Sequence, residues 1–194
     1  KRRFNGKMLE TFFTTASRLG RLHPMSRPER HGVEVIKNLP YLDDGDDAHL
    51  LDVWRPINRD GPCPALVYVH GGAFTILSKD THWLMALAFA RRGFVVFNIN
   101  YRLAPEHAHP AAVEDSVTAY RWLLAQGLEP GHIAISGDSA GGGLCIATAL
   151  KIRDRQEGII PDSMNYSYRA RQIEKERKPS PPAVSVSFIC LKAS

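Results

Sequence analysis

The sequence has no long hydrophobic run and contains few cysteines. No apolar stretch approaches the roughly 18 to 20 residues that a membrane-spanning helix needs, so no transmembrane segment is expected. The three cysteines, Cys63, Cys145 and Cys190, are too few for a disulfide scaffold and lack the spacing of metal ligands. This sparse use of cysteine favours a reducing compartment and therefore a cytoplasmic location.

The net charge of +5 is unevenly distributed along the chain. Residues 1–30 carry eight Lys or Arg residues against two acidic ones, residues 31–162 eleven against sixteen, and residues 163–194 six against two. The basic residues are concentrated at the two ends, where no nucleic-acid-binding motif accompanies them. The pattern indicates solvated ends and argues against a specific nucleic-acid partner.

The composition is that of a globular protein. Hydrophobic residues make up 44% of the 194 residues and charged residues 23%, which is enough apolar material for one domain with a buried core. We expect a helical segment at residues 1–30, the main domain at residues 31–162, and a polar insert with one further strand at residues 163–194.

The N-terminal segment has the spacing of an amphipathic helix over residues 5–22. Its apolar positions are Leu9, Phe12, Phe13, Ala16, Leu19 and Leu22. A transit peptide is also basic and amphipathic, but Glu10 and the single Ser17 weaken that alternative.

Two strands, at Gly32–Leu39 and His49–Trp54, are expected around the acidic stretch of residues 43–47. This stretch lacks the ligand periodicity of a calcium-binding EF-hand loop, so it is interpreted as a solvated hairpin turn. From residue 62 onward, short apolar strands alternate with helices. We expect strands at Ala65–Val69, Phe94–Ile99 and His132–Ser136, and helices at Thr81–Arg92, Ala111–Gln126 and from Ala140 to about Arg153. This alternation predicts an α/β fold in which helices cover both faces of a mostly parallel sheet.

The pattern G-x-S-x-G occurs at residues 137–141, between a predicted strand and a predicted helix. A serine on such a tight turn projects its hydroxyl out of the sheet, and the flanking glycines, Gly137 and Gly141, remove side chains that would clash there. The following helix N-terminus offers N–H groups to a developing oxyanion. The pattern points to Ser139 as a nucleophile, although a glycine-rich turn also serves packing alone.

A second glycine motif, His70-Gly71-Gly72, directly follows the predicted strand Ala65–Val69. Adjacent glycines allow successive backbone N–H groups to point into one concavity, as an oxyanion hole requires. The alternative is a simple glycine turn in which His70 is packed or caps the backbone.

Three stretches together resemble the hormone-sensitive-lipase-like branch of the α/β-hydrolases, also called alpha/beta hydrolase fold-3. They lie at residues 70–74 (HGGAF), 101–107 (YRLAPEH) and 137–142 (GDSAGG), and the resemblance extends over roughly residues 31–153. It implies that Ser139 is the nucleophile and that backbone N–H groups of Gly71, Gly72 and Ala140 form the oxyanion hole. It also implies a carboxylesterase or lipase acting on small-molecule esters, with a cap that includes the N-terminal helix and with no metal or organic cofactor.

Other residues of the matched stretches are expected to be structural. Asp115 is interpreted as a salt-bridge or cap residue, and Asp138 as a residue that holds the turn by hydrogen bonds. Tyr101, Arg102, Pro105 and Glu106 are expected to brace a loop in which His107 and His109 pack or cap the backbone.

Most of a catalytic triad is absent from the sequence. In α/β-hydrolases the order along the chain is Ser, then Asp or Glu, then His, but no histidine follows Ser139 and no later acid follows a strand in the expected way. We therefore expect the N-terminal part of an ester hydrolase, truncated before the triad acid and histidine and impaired in turnover. The alternatives are a non-catalytic, hydrolase-like binder of small ligands and an inactive fragment.

Overall fold

The computed structural model describes residues 2–57, 61 and 63–155, so the predicted polar insert and the strand within residues 163–194 lie outside the described residues. The helices and strands are α1 Arg2–Leu22, β1 Val33–Pro40, β2 Leu50–Pro56, β3 Ala65–Val69, α2 Trp83–Ala90, β4 Val95–Ile99, α3 Ala111–Ala125, β5 Ile133–Gly137 and α4 Ala140–Asp154. No helix among these residues is long and apolar enough to cross a membrane.

The five described strands form one sheet in the order β1-β2-β4-β3-β5. Strand β2 is antiparallel to both of its neighbours, whereas β3 is parallel to β4 and to β5. Four of these five strands therefore run in the same direction, and the predicted mostly parallel sheet is confirmed.

Both faces of the sheet are covered. Along β3, Val67 and Val69 belong to a core cluster that includes residues of α3 and α4, whereas Leu66 and Tyr68 belong to a second cluster with α2. Successive side chains of a strand point to opposite faces, so a strand between two helical layers must be apolar at every position. All five residues of β3 are buried accordingly.

The elements predicted within the described residues are present, and the largest difference in length is at α2. The helix was expected over Thr81–Arg92 but spans Trp83–Ala90. Residues 78–82 instead form a turn, in which the Thr81 hydroxyl donates to the carbonyl oxygen of Ser78 and the N–H of His82 donates to that of Lys79. A hydroxyl that bonds the local backbone favours a turn over a helix.

The acidic turn of residues 43–47 is exposed and joins the antiparallel strands β1 and β2, so its interpretation as a solvated hairpin turn is confirmed, and one of its carboxylates also contacts a buried histidine. Asp44 Oδ2 lies 2.7 Å from Nδ1 of the buried His49, and His49 Nε2 lies 3.3 Å from Asp115 Oδ1 on α3. A buried imidazole needs polar partners. The turn supplies this partner at Nδ1, which connects the turn to the body of the domain, whereas Nε2 makes no hydrogen bond among the described residues.

A buried ion pair fixes the segment that follows β3. Lys79 Nζ lies 2.8 Å from Asp52 Oδ1 on β2, and the two side chains are 2% and 1% exposed. Asn98 Nδ2 donates to the Lys79 carbonyl oxygen, and the Lys79 N–H donates to Asn100 Oδ1. The ammonium group of Lys79 is thus held against β2, and its backbone against the end of β4. These contacts position the loop of residues 70–82.

We expect the variant Asp52→Ala to lower the free energy of unfolding by about 3–5 kcal/mol, because it removes the buried carboxylate and leaves the Lys79 ammonium only one charged contact, the longer one of 3.4 Å with the exposed Asp80. Urea denaturation measures the loss. The control is Arg55→Ala on the same strand, which breaks the exposed Arg55–Glu34 pair and should cost less than about 1 kcal/mol. Equal losses in the two variants would contradict the importance assigned to the buried pair.

Candidate active site

Ser139 lies on the turn that joins β5 to α4, and its backbone is strained. Its φ and ψ are 50° and −119°, a conformation that residues other than glycine rarely adopt. Such strain costs of order 1–3 kcal/mol and occurs mainly at functional sites. The side chain is exposed, and no described residue hydrogen-bonds to its hydroxyl group.

The two glycines that flank Ser139 are required by a close approach to β3. A Cβ atom added to Gly137 or Gly141 would collide with the backbone oxygen of Val69, the last residue of β3. Only glycine therefore lets the turn lie directly on the end of β3, which places Ser139 beside the loop that begins at His70.

The loop after β3 leaves backbone N–H groups free. Gly72 has φ of 126°, and Ala73 and Phe74 also have positive φ values. No described residue accepts a hydrogen bond from the N–H of Gly72 or of Ala73. The N–H of Ala140 has no partner within its own helix because Ala140 is the first residue of α4. Three donors on two adjacent turns are thus available to an anion.

Gly71 differs from this group. Its N–H donates to Asp138 Oδ1 at 3.0 Å, and a Cβ atom on Gly71 would collide with the same carboxylate. The role that the resemblance implies for its N–H, donation to an oxyanion, is therefore not the role it has in this structure. The reason is geometric, because the carboxylate beside Ser139 lies directly against the Gly71 backbone.

Asp138 holds this turn, as expected from the sequence. Besides the Gly71 N–H, Tyr68 Oη donates to Asp138 Oδ1 at 2.9 Å, and His82 Nε2 lies 3.4 Å from the same oxygen. Partial burial alone would raise the pKa of Asp138, but the hydrogen bonds from His82, Tyr68 and Gly71 outweigh it and lower the pKa to about 2. A carboxylate that stays ionised joins β3, the following loop and the turn at Ser139.

His70 is a packed residue. Its side chain is buried, its Nδ1 lies 2.7 Å from the Gly71 carbonyl oxygen, and its ring stacks on Tyr101 at 4.3 Å between centroids. Burial lowers the pKa of His70 to about 4, although the contact with Gly71 opposes the shift. The imidazole is therefore neutral near pH 7, and its observed contacts agree with the structural alternative given for His70.

The loop after β4 agrees only partly with expectation. Arg102 forms a two-pronged pair with Asp115, which confirms both as bracing residues. Glu106, His107 and His109 are exposed, however, and the prediction that the two histidines pack or cap the backbone is wrong. They follow a short loop that runs over the surface, so their rings line a cleft instead of entering the core.

This cleft of about 350 Å³ lies next to the two turns. Its walls come from the loop after β3, the loop after β4 and the first turns of α3 and α4, and they are mostly apolar. The lining residues are Ala73, Phe74, Arg102, Ala104, His107, His109, Pro110, Ala112, Val113, Gly143, Leu144 and Ala147. Among the residues that the structure describes, no group of three or more His, Cys, Asp or Glu side chains is placed to hold a metal ion.

Sequence reasoning missed the contributions of Tyr68, Lys79 and His82. Tyr68 occupies a core position of an apolar strand, and no spacing rule indicates that its hydroxyl reaches Asp138, 70 residues later. His82 likewise reaches Asp138 only through the fold, with Nε2 3.4 Å from Oδ1. Lys79 was missed because a lysine in a loop is ordinarily solvated.

The sheet carries a G-x-S-x-G turn beside a glycine loop with free N–H groups. This combination defines the class of the protein: an α/β protein with a hydrolase-like strand–turn–helix site. A family model described as alpha/beta hydrolase fold matches residues 66–183, more than half of the chain. The chain belongs to this alpha/beta hydrolase fold family, and the resemblance found in the sequence is confirmed.

Individual relatives support the same assignment. An acetyl-hydrolase of Streptomyces hygroscopicus is 42% identical over 109 residues, covering 55% of this chain and 36% of the relative. The crystal structure of EstE5 soaked with ethyl alcohol matches 64% of this chain and 40% of that chain, with 41% identity and a TM-score of 0.56. An esterase of the bacterial hormone-sensitive lipase family matches 63% and 39%, with 38% identity and a TM-score of 0.55. The match thus spans well under half the length of these relatives.

We expect Gly141→Ala to lower the free energy of unfolding by about 3 kcal/mol or more, because its Cβ would collide with the backbone of β3. Chemical denaturation measures the change. Gly143→Ala, two residues along the same helix, is the matched control: its Cβ would meet nothing within 4 Å, so it should be neutral or stabilising. Similar effects of the two substitutions would contradict the close approach.

The lowered pKa of Asp138 predicts a pH dependence of stability. Because the folded-state pKa, about 2, lies below the ordinary aspartate value of 3.8, the contribution of this group is present above about pH 4 and is lost as the pH falls towards 2. We expect Asp138→Asn to reduce the slope of unfolding free energy against pH in that window, measured by urea denaturation. An unchanged slope in Asp138→Asn would refute the assignment.

Proposed function

We propose that this chain carries the nucleophile and the oxyanion donors of a serine hydrolase that acts on small-molecule carboxylic esters. The observation that carries the proposal is the exposed, strained Ser139 beside unpartnered backbone N–H groups at Gly72, Ala73 and Ala140. The strained backbone keeps Ser139 out of the helical conformation and leaves its hydroxyl group exposed. The names of the relatives, acetyl-hydrolase and esterase, favour ester substrates.

In the proposed reaction, Ser139 Oγ attacks the ester carbonyl carbon and gives up its proton to a base. The carbonyl oxygen becomes an oxyanion that accepts hydrogen bonds from the N–H groups of Gly72, Ala73 and Ala140. Collapse of this intermediate breaks the bond to the alkoxy group, which leaves as the alcohol once protonated, and Ser139 retains the acyl group. Water then hydrolyses this acyl-enzyme to the carboxylic acid and restores the hydroxyl group.

The oxyanion donors in this proposal differ in one respect from those implied by the resemblance. Gly72 and Ala140 are retained, whereas Gly71 is assigned a positioning role because its N–H donates to Asp138. Ala73 is added because its N–H belongs to the same turn as that of Gly72 and has no acceptor among the described residues.

The base is the part of the mechanism to which no described residue is assigned. No histidine follows Ser139 in the 194 residues, and no described side chain hydrogen-bonds to its hydroxyl. Loss of triad members lowers turnover by roughly 10⁴- to 10⁶-fold but leaves the contribution of the oxyanion hole. We therefore propose weak turnover for these residues alone.

The cleft beside Ala73 and Gly143 is the proposed place for the acyl or alcohol group, since its apolar walls suit a short hydrocarbon chain. We propose residues 1–30 as a cap-like segment and residues 31–162 as the core. Contacts of Ser17 and Arg21 with Asp80 support the cap-like role of the first segment, because they attach α1 to the far end of the loop after β3.

The test compares the chain with Ser139→Ala, using a fluorophosphonate probe followed by mass spectrometry and the hydrolysis of p-nitrophenyl butyrate. We expect slow labelling that maps to Ser139 and disappears in the variant, together with weak turnover. Ser136→Ala, three residues earlier on β5, is the matched control and should be labelled as the unaltered chain is. Labelling elsewhere, or labelling that survives in Ser139→Ala, would refute the nucleophile assignment.

Rapid turnover that depends on Ser139 would support the nucleophile but overturn the proposal of impairment. In that case a side chain within the 194 residues must act as the base. A pH profile of the rate would then give the pKa of that group.

A further inference from the structure

One face of α1 exposes a row of large apolar side chains. Met8, Phe12 and Leu19 are 64%, 64% and 62% exposed, and Leu9 and Phe13 beside them are 48% and 44% exposed. Spacings of three, four and seven residues place such side chains on one side of a helix. The rings of Phe12 and Phe13 also pack edge to face, with centroids 5.6 Å apart. The face is thus a continuous apolar strip on the protein surface.

The helix is attached to the body by a different side. Ser17 Oγ donates to the Asp80 carbonyl oxygen and accepts from Trp83 Nε1, while Arg21 donates to the same carbonyl oxygen at 2.7 Å. At 100° per residue, Ser17 and Arg21 lie roughly opposite Phe12 on the helix. The contacts that hold α1 in place therefore leave its apolar face turned away from the sheet.

The sequence of α1 carries mostly positive charge. Helix α1 contains five Lys or Arg residues and one acidic residue, and Lys7 and Arg18 are exposed on its polar side. Pairing this face with a second copy would bring like charges together. Residues 163–194 of the same chain also carry six basic residues against two acidic ones, so they do not complement it either.

We propose that α1 binds the surface of anionic lipid, with its apolar face in the headgroup region and its basic side chains on the lipid charges. A helix that combines Phe, Leu and Met on one face with Lys and Arg on the other is suited to lie in the plane of a membrane interface. Each basic side chain near an anionic surface adds attraction that salt weakens. This inference does not depend on the proposed ester hydrolysis.

The experiment measures co-sedimentation of the whole chain with vesicles of phosphatidylcholine containing about 30% phosphatidylglycerol and with vesicles of phosphatidylcholine alone. We expect binding to the anionic vesicles, weaker binding to the neutral ones, and release at about 1 M salt. The double variant Phe12→Ser/Phe13→Ser should lose about tenfold or more in affinity because it removes two exposed rings that the lipid would bury. The double variant Lys7→Glu/Arg18→Glu should also weaken binding, but only to the anionic vesicles.

The matched control is Leu84→Ser/Ile146→Ser, which removes two apolar side chains of similar exposure, 58% and 44%, from α2 and α4. It should bind as the unaltered chain does. The proposal is overturned if the chain ignores anionic vesicles, or if the Phe12/Phe13 variant still binds them. Two further results would also overturn it. If the Phe12/Phe13 variant abolished a dimer that the unaltered chain forms in analytical ultracentrifugation, a second copy would be the occupant of the apolar face. If that variant melted at a much lower temperature and the unaltered chain failed to bind lipid, a segment of this chain would be the occupant.

Discussion

The arrangement of this site depends on the contact between the turn at Ser139 and the end of β3. Gly137 and Gly141 bring the turn against the backbone oxygen of Val69, and Asp138 accepts a hydrogen bond from the Gly71 N–H, two residues beyond the end of β3. Parallel neighbouring strands end at the same edge of a sheet, so the two loops that follow them meet there. Because Gly137 and Gly141 carry no side chains, the backbones of the two loops lie directly against each other.

Charged and polar groups away from the contact between the Ser139 turn and β3 help to maintain it. Lys79 is bound to Asp52 on β2, and His82 lies beside Asp138, so the loop after β3 is held at its far end as well as at its start. In a loop fixed at one end only, holding the amides in one direction would cost conformational entropy. Fixing both ends orders the amides beforehand, which is the condition for donors to stabilise charge without reorganisation.

Periodicity and motifs predicted the sheet, its helices and the place of Ser139, because strand alternation and glycine turns are local properties of the sequence. The roles of Lys79 and Tyr68 could not be predicted, because each depends on a partner brought close by the fold. The error at His107 and His109 has the same origin, since a motif gives the identity of a residue but not its exposure. The free N–H of Ala73 likewise became apparent only from the path of the loop.

The histidines near the site constrain where a base for Ser139 can come from. Nδ1 of His70 is occupied by the Gly71 carbonyl oxygen and the ring is buried, while Nε2 of His82 faces Asp138. His107 and His109 are exposed in the cleft, where no described carboxylate orients either ring. An efficient base needs both access to the hydroxyl and a third group that fixes its orientation. Because none of these four histidines meets both conditions, we infer that the proposed nucleophile and the proposed oxyanion donors are arranged here independently of the base.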